Sequence, residues 1–227
     1  MDKEQSEAER LPQNEPWSAL SHMIGAGLSV VALVVLVVAS IQRASTVHTV
    51  SFIIYGVSQI LLYTMSTLYH SFKRGTRVKQ LFRRFDHIMI FWFIAGTYTP
   101  VSLVVLHYPL DWILVIIIWS IAILGTLFKA IWIKSPGWIN STLYIAMGWV
   151  AVYVLSPLYQ SVGVKGVAMM IGGGLLYSIG AVIYALGKKK DLKTAMRVHD
   201  LFHWFVLAGS ALFFVVMYTI VLPMPVQ

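Results

Sequence analysis

Seven apolar stretches, each long enough to cross a membrane as a helix, dominate this sequence of 227 residues. A helix needs roughly 17–25 mainly apolar residues to cross the hydrocarbon of a bilayer. The stretches lie at approximately residues 20–41, 47–70, 87–106, 111–133, 139–159, 164–186 and 198–222. Because backbone groups in lipid must be hydrogen-bonded within the protein, such stretches fold as helices. The sequence therefore predicts an all-α membrane protein, a bundle of seven transmembrane helices.

The composition agrees with this fold class and restricts the available chemistry. Only 11% of the residues are charged, whereas soluble domains have about a quarter. The chain has no cysteine, so it forms no disulfide, and any metal must be bound by histidine or carboxylate side chains. The connections between the stretches are too short for a separate soluble domain, so any chemistry takes place in or at the bilayer.

The distribution of basic residues predicts how the chain is oriented, because lysine and arginine are retained on the cytoplasmic side. Of the 17 basic residues, all but Arg43 and Lys165 lie on the side of the amino terminus. We therefore expect a cytoplasmic amino terminus, an external carboxyl terminus, an acidic cytoplasmic tail at residues 1–16 and a transmembrane domain at residues 17–227. The basic loops serve topology and contact anionic lipid headgroups. This excludes a nucleic-acid partner despite the net charge of +8.

Two histidines four residues apart, His199 and His203, open the last stretch. On a helix this spacing places both imidazoles on one face, one turn apart, which is typical of two ligands to one metal ion. In a soluble helix such a pair is more often solvated or packed in the core. At the end of a membrane helix ionisable groups are costly and indicate function, which favours the metal interpretation.

Two further stretches bring candidate ligands to the same membrane surface. The second stretch runs inward and ends at His70, with Ser66 one turn deeper, and Asp86 precedes the third stretch. The sequence therefore predicts a cluster of His70, Asp86, His199 and His203 at the cytoplasmic side.

Three imidazoles with an open fourth position form a ligand set of catalytic zinc sites, in which the pKa of bound water falls to about 7. Asp86 is then either a direct ligand or a nearby acceptor that orients the water and takes its proton. Alternatively, Asp86 stabilises a helix N-terminus or pairs with Arg83 or Arg84. Ser66 either hydrogen-bonds Asp86 or the substrate, or bonds to a carbonyl of its own helix.

Three neighbouring residues are assigned outside the ligand set. His22 enters the first stretch at a similar depth, and is either a partner behind the ligands or a hydrogen-bonded residue of the membrane interface. His87 and Asp200 follow candidate residues directly, but each points about 100° away from its neighbour on a helix.

Four motifs, together with the seven stretches, give the chain a family resemblance. They are Ser66-x-x-x-His70, Phe82-x-x-x-Asp86, Ala95-Gly96-Thr97-Tyr98-Thr99-Pro100 and His199-x-x-x-His203. In these motifs the chain resembles the hemolysin III family, the bacterial branch of the progestin and adipoQ receptor (PAQR) superfamily, over almost its whole length after the acidic tail. Glu15-x-x-Ser18-x-x-x-His22 is similar to the family's amino-terminal pattern, which usually has asparagine at the position of Ser18.

The resemblance implies zinc held by His70, His199 and His203, with Asp86 and Ser66 around the water at the metal, and a lipid-accessible cavity above it. Receptor members of the superfamily have been linked to ceramidase-type amide hydrolysis. Bacterial members have been named as haemolysins and tied to membrane homeostasis.

Three functions are therefore expected, in decreasing order of support, for a multi-pass protein of the bacterial cell membrane whose partners are membrane lipids. The first is zinc-dependent hydrolysis of a lipid amide or ester bond at the cytoplasmic side. The second is membrane homeostasis or sensing without catalysis, with zinc as a structural clamp between the second and seventh helices. The third is a cytolytic pore, which needs a polar path across the bilayer, and the fourth to sixth stretches have few polar residues.

Overall fold

The structure, a computed structural model, describes residues 15–186 and 198–225, and these residues form helices and no strand. The α-helices are α1 (Pro16–Arg43), α2 (Thr46–Ser71), α3 (Arg77–Pro100), α4 (Leu110–Ile131), α5 (Gly137–Gly148), α6 (Leu155–Leu186) and α7 (Val198–Val216). Wider π-helical turns extend α3 over Val101–Val105 and α7 over Met217–Val221, and a 3-10 segment, Trp149–Val154, joins α5 to α6. Residues 1–14 of the acidic tail, which was predicted at residues 1–16, lie outside the described residues.

Six helical segments of the described chain are long and apolar enough to cross a membrane. This confirms a multi-pass helical membrane protein. One of the six, Gly137–Leu186, has 50 residues, more than twice the length that one crossing requires.

The long segment changes direction at Gly163, whose φ of 65° and ψ of −175° are not helical and favour glycine. The two parts lie side by side, because Trp149 Nε1 donates a hydrogen bond to Ser178 Oγ at 2.9 Å. The predicted stretches 139–159 and 164–186 fall on either side of this break.

The helix α3 begins at Arg77, well before the apolar stretch predicted at residues 87–106. Its first turns are charged rather than apolar, so hydropathy alone does not detect them. Thr76 caps the helix by accepting a hydrogen bond from the backbone N–H of Lys79 at 3.2 Å, which satisfies one of the free N–H groups of the first turn. The residues around Asp86 are therefore held on a rigid helix rather than in a loop.

Apolar side chains face outward and many polar side chains face inward, as expected for a bundle surrounded by lipid. On α1, Leu28 and Val31 are 61% and 59% exposed, whereas Ser29 is 2% exposed. Small residues allow close helix contacts: a Cβ atom on Gly96 of α3 would lie 2.1 Å from Ser58 Oγ of α2. The interior of the bundle is thus where functional polar groups are positioned.

Candidate metal centre

Three histidines from two helices, two of them buried and His199 half-buried, converge at one end of the bundle. His70 lies in the last turn of α2, and His199 and His203 lie in the first turns of α7. His199 Nε2 is 3.1 Å from His70 Nε2 and 3.0 Å from His203 Nε2. One ligand atom from each of the three residues lies within 4.8 Å of the others. The structure therefore brings together the three histidines that the sequence predicted as ligands.

Hydrogen bonds on the far side of two rings show which nitrogen atoms are available to a metal. His70 Nδ1 lies 2.7 Å from Glu15 Oε2, and His203 Nδ1 lies 3.2 Å from the carbonyl oxygen of Ser18. A carboxylate and a carbonyl only accept hydrogen bonds, so each Nδ1 carries the proton. The Nε2 lone pairs of His70 and His203 consequently point into the cluster, as in metal sites where an acceptor orients the ligand imidazole.

Both short contacts of the third ring are made by one atom, His199 Nε2. One ring nitrogen of a neutral imidazole either donates or accepts a single hydrogen bond. His199 Nε2 therefore cannot form hydrogen bonds to both His70 and His203. A cation shared by the three nitrogen atoms removes this conflict. With Zn–N bonds of about 2.0–2.1 Å, tetrahedral ligand atoms lie roughly 3.3 Å apart, close to the two observed separations. The cluster could thus bind a metal ion, and its donor set fits zinc.

Glu15 is the site residue that sequence reasoning missed, since it was assigned to the solvated tail. Besides His70, its carboxylate contacts Arg74 Nη2 at 3.0 Å and Lys79 Nζ at 3.2 Å. Burial alone raises the pKa of this carboxyl, but the hydrogen bond from His70, the charge of Lys79 and the hydrogen bond from Arg74 outweigh it and lower the pKa below its ordinary value. Glu15 is therefore a carboxylate that orients His70. The only sequence signal for it was its place in the family's amino-terminal pattern.

Replacing Glu15 with glutamine should weaken zinc binding roughly 10–100-fold, the usual effect of losing an acceptor behind a ligand imidazole. Glutamine can still accept a hydrogen bond from His70 but carries no charge. The measurement is competition with a chelator of known affinity. Asp111→Asn, which removes a carboxylate from the first turn of α4, is the control. Equal zinc affinity in the Glu15 variant and the wild type would show that Glu15 does not act on the ligand.

Asp86 and Ser66 line a cavity of about 150 Å³ together with His199 and His203. The Asp86 carboxylate is outside the close set of nitrogen atoms, and its Oδ2 lies 3.4 Å from His87 Nδ1. Within the described residues it forms no ion pair with an arginine. The Ser66 hydroxyl is buried and has no hydrogen-bond partner in the described part of the chain, so it is not bonded to its own helix. Both side chains are positioned to act on a molecule in the cavity.

The rest of the cavity wall is mainly apolar. Ile90, Phe93, Tyr144, Val206 and Phe213 are among its lining residues. An apolar wall with a few polar groups at one end is typical of sites that bind small organic molecules. The cavity therefore fits a ligand with an apolar body and a polar group near the histidines.

His22 lies behind the candidate ligands, the first of the two positions expected for it, and not at the membrane interface. It is 3% exposed, and its ring stacks on that of His203 with centroids 3.6 Å apart and an angle of 9°. Neither of its nitrogen atoms has a hydrogen-bond partner among the described residues. It therefore supports His203 by ring contact and not by a hydrogen bond.

His87 and Asp200, which the sequence also placed outside the ligand set, are not among the three residues with close ligand atoms. His87 Nδ1 is 2.9 Å from the carbonyl oxygen of Arg83 in its own helix. Asp200 accepts a hydrogen bond from the hydroxyl of Ser18. This bond ties α7 to α1 beside the histidines, and it gives Ser18 a contact at the position where the family pattern usually has asparagine.

Comparison with known proteins agrees with the motifs. A family model described as "Haemolysin-III related" matches residues 11–214. The chain is 39% identical over 206 residues to "Hemolysin-3" of Bacillus cereus, covering 91% of each protein. It is 39% identical over 202 residues to "Hemolysin-3 homolog" of Bacillus subtilis (strain 168), covering 88% of this chain and 92% of the relative. Human "Monocyte to macrophage differentiation factor" is 26% identical over 162 residues, 70% of this chain and 65% of the relative.

Proposed function

The chain belongs to the haemolysin-III-related family, and from this membership and the site geometry we propose a zinc-dependent lipid hydrolase of the bacterial cell membrane. Its substrate is a membrane lipid, and the bond cleaved is an amide or an ester. The observation that carries the proposal is the convergence of His70, His199 and His203 beside an apolar cavity. Protein zinc sites with three histidine ligands and a free position are catalytic sites.

The proposed topology has seven crossings, a cytoplasmic amino terminus and an external carboxyl terminus. The break at Gly163 supports two crossings within Gly137–Leu186. The basic residues support the orientation, because all but Arg43 and Lys165 fall on the side of the amino terminus. This topology places the metal centre at the cytoplasmic side, within reach of lipids of the inner leaflet.

Each polar residue of the site has a role in the proposed reaction. His70, His199 and His203 would hold zinc, which, when bound, polarises a carbonyl group and activates water. Asp86 accepts the proton of the attacking water and returns it to the leaving group, as a general base and then a general acid. The Ser66 hydroxyl donates a hydrogen bond to the substrate. The apolar cavity wall binds the hydrocarbon part of the lipid and excludes water from it.

A structural clamp is the second candidate function. His70 belongs to α2 and the other two ligands to α7, so one ion would fasten helices that are far apart in sequence. Glu15 and Ser18 add α1 to the same cluster. In that case zinc stabilises a protein that senses or adjusts the state of the membrane without catalysis.

Chelation separates the two functions. The purified protein in lipid nanodiscs is incubated with a panel of lipid amides and esters, and released fatty acid is measured. The hydrolase proposal predicts that removal of zinc abolishes release and that added zinc restores it. A protein that holds zinc but releases no fatty acid from any lipid, and melts at a lower temperature after chelation, would overturn hydrolysis in favour of the clamp.

A further inference from the structure

A row of polar side chains follows one face of α2 through the bundle, away from the metal centre. The row consists of Ser51, Tyr55, Gln59, Tyr63 and Ser66, each at most 5% exposed. Spacings of three and four residues place all five on the same face of a helix. Polar groups buried within a membrane are costly unless they are hydrogen-bonded.

Most of this row is not hydrogen-bonded within the described part of the protein. Ser51 Oγ, Tyr55 Oη, Gln59 Oε1 and Ser66 Oγ are buried atoms without a partner there. Buried polar atoms of native proteins are nearly always paired, with ordered water where no protein group is available. Four such atoms on one face of one helix therefore indicate bound water along the row.

The row is continued by groups on neighbouring helices. Tyr63 donates a hydrogen bond to Ser210 Oγ of α7 at 2.6 Å, and Tyr177 of α6 lies 3.1 Å from the same oxygen. The π-helical turn after α3 packs against α2, and within it Ser102 Oγ is also buried without a partner in the described chain. Turns of this kind inside helices are frequent at functional sites.

The two ends of the row lie near opposite ends of the bundle. At one end Ser66 lines the cavity of the metal centre. At the other end His48 precedes Ser51 by one turn and contacts the half-buried Ser45 through Nδ1 at 3.1 Å. At a rise of 1.5 Å per residue, His48 and Ser66 are about 27 Å apart, close to the roughly 30 Å thickness of the hydrocarbon. The row together with His48 thus extends across almost the whole membrane.

The chemistry of the row suits protons rather than other ions. It contains hydroxyl and amide groups, which both donate and accept hydrogen bonds, and no charged side chain. Large side chains such as Phe52 and Leu62, both at most 3% exposed, fill the same helix–helix contacts and leave no wide channel for a hydrated ion.

We propose that α2 carries a proton path, formed by its buried hydroxyl and amide groups and bound water, between the metal cavity and the opposite membrane surface. A proton enters at one end, each hydroxyl or water oxygen takes up a proton and gives one to the next, and one proton leaves at the other end. Only O–H bonds are made and broken, while the amide oxygen of Gln59 accepts hydrogen bonds and holds bound water in the path. The proposal goes beyond lipid hydrolysis and does not depend on it.

The test uses full-length protein in vesicles that contain a pH-sensitive dye. A potassium gradient with valinomycin drives proton entry, and the initial rate of internal acidification is measured. Wild-type vesicles should acidify faster than protein-free vesicles. Gln59→Leu should lower the rate to that of protein-free vesicles, and Tyr55→Phe, which removes one unpartnered hydroxyl, should lower it several-fold. Zinc content should be unchanged in both variants, which separates this test from the metal centre.

The matched control is Thr67→Val, because the Thr67 hydroxyl is already bonded to the carbonyl of Tyr63 in the same helix at 2.7 Å. It should acidify at the wild-type rate. Wild-type vesicles that acidify no faster than protein-free ones would overturn the proposal. It would also be overturned if Gln59→Leu and Tyr55→Phe both fold and both acidify vesicles at the wild-type rate. Escape of the trapped dye would also overturn it, since that indicates a wide pore.

Discussion

Replacing His70 with alanine is expected to remove zinc from the purified protein and to abolish lipid hydrolysis. The substitution leaves two ligands from one helix, and the ion loses its bond to α2. The loss of affinity should exceed the roughly 10–100-fold that follows the loss of an acceptor behind a ligand. Zinc per chain is measured by mass spectrometry of the metal, and fatty-acid release is measured on the same preparation.

The control for His70→Ala is His48→Gln, a change of another buried histidine on the same helix. His48 contacts the carbonyl oxygen of Val221 at 3.2 Å, near the other end of the bundle, so this variant should keep its zinc. A His70 variant that stays folded and retains one zinc per chain would contradict the proposed ligand set.

Replacing Asp86 with asparagine should lower the rate of hydrolysis about 10²–10⁴-fold, the typical contribution of a general acid–base residue. Zinc content should not change, because the Asp86 carboxylate lies outside the three close nitrogen atoms. Asparagine has the same size but cannot take a proton from water. Initial rates at saturating lipid and zinc per chain are the two measurements.

Asp111→Asn, at the other end of the bundle, serves as the carboxylate control and should hydrolyse lipid at the wild-type rate. Loss of zinc in Asp86→Asn would make Asp86 a metal ligand instead of a proton acceptor. An unchanged rate with zinc present would remove Asp86 from the reaction.

The convergence of the three histidines could be predicted from the sequence because depth in a membrane can be predicted from hydropathy. His70 ends one apolar stretch, and His199 and His203 open another. Once the direction of each stretch is assigned, all three fall at one surface. Residues at equal depth on helices that pack together lie close to one another, so this prediction needs no further information.

The contact between Glu15 and His70 could not be predicted in this way. It depends on how the start of α1 meets the end of α2, since the backbone N–H of Glu15 donates a hydrogen bond to the carbonyl of His70 at 3.2 Å. Hydropathy describes neither polar residue pairs nor their separation. In the sequence Glu15 therefore looks like one more acid of a charged tail.

The polar row on α2 could be predicted from the sequence only in part. The four-residue spacing from Ser51 to Tyr63 is visible in the sequence, but a polar face of a membrane helix can be satisfied by neighbouring helices. Only the structure shows that Ser51, Tyr55 and Gln59 have buried polar atoms without partners in the described chain. The start of α3 is a similar case, because its charged first turns fold as a helix outside the apolar stretch.

The central claim is that three imidazoles from α2 and α7 share one metal ion. Diffraction data collected on both sides of the zinc absorption edge test it most directly. The predicted result is one anomalous peak, specific to zinc, at about 2.0–2.1 Å from a nitrogen atom of each of His70, His199 and His203. The absence of a peak in crystals grown with zinc, or a peak bound by other residues, would contradict it.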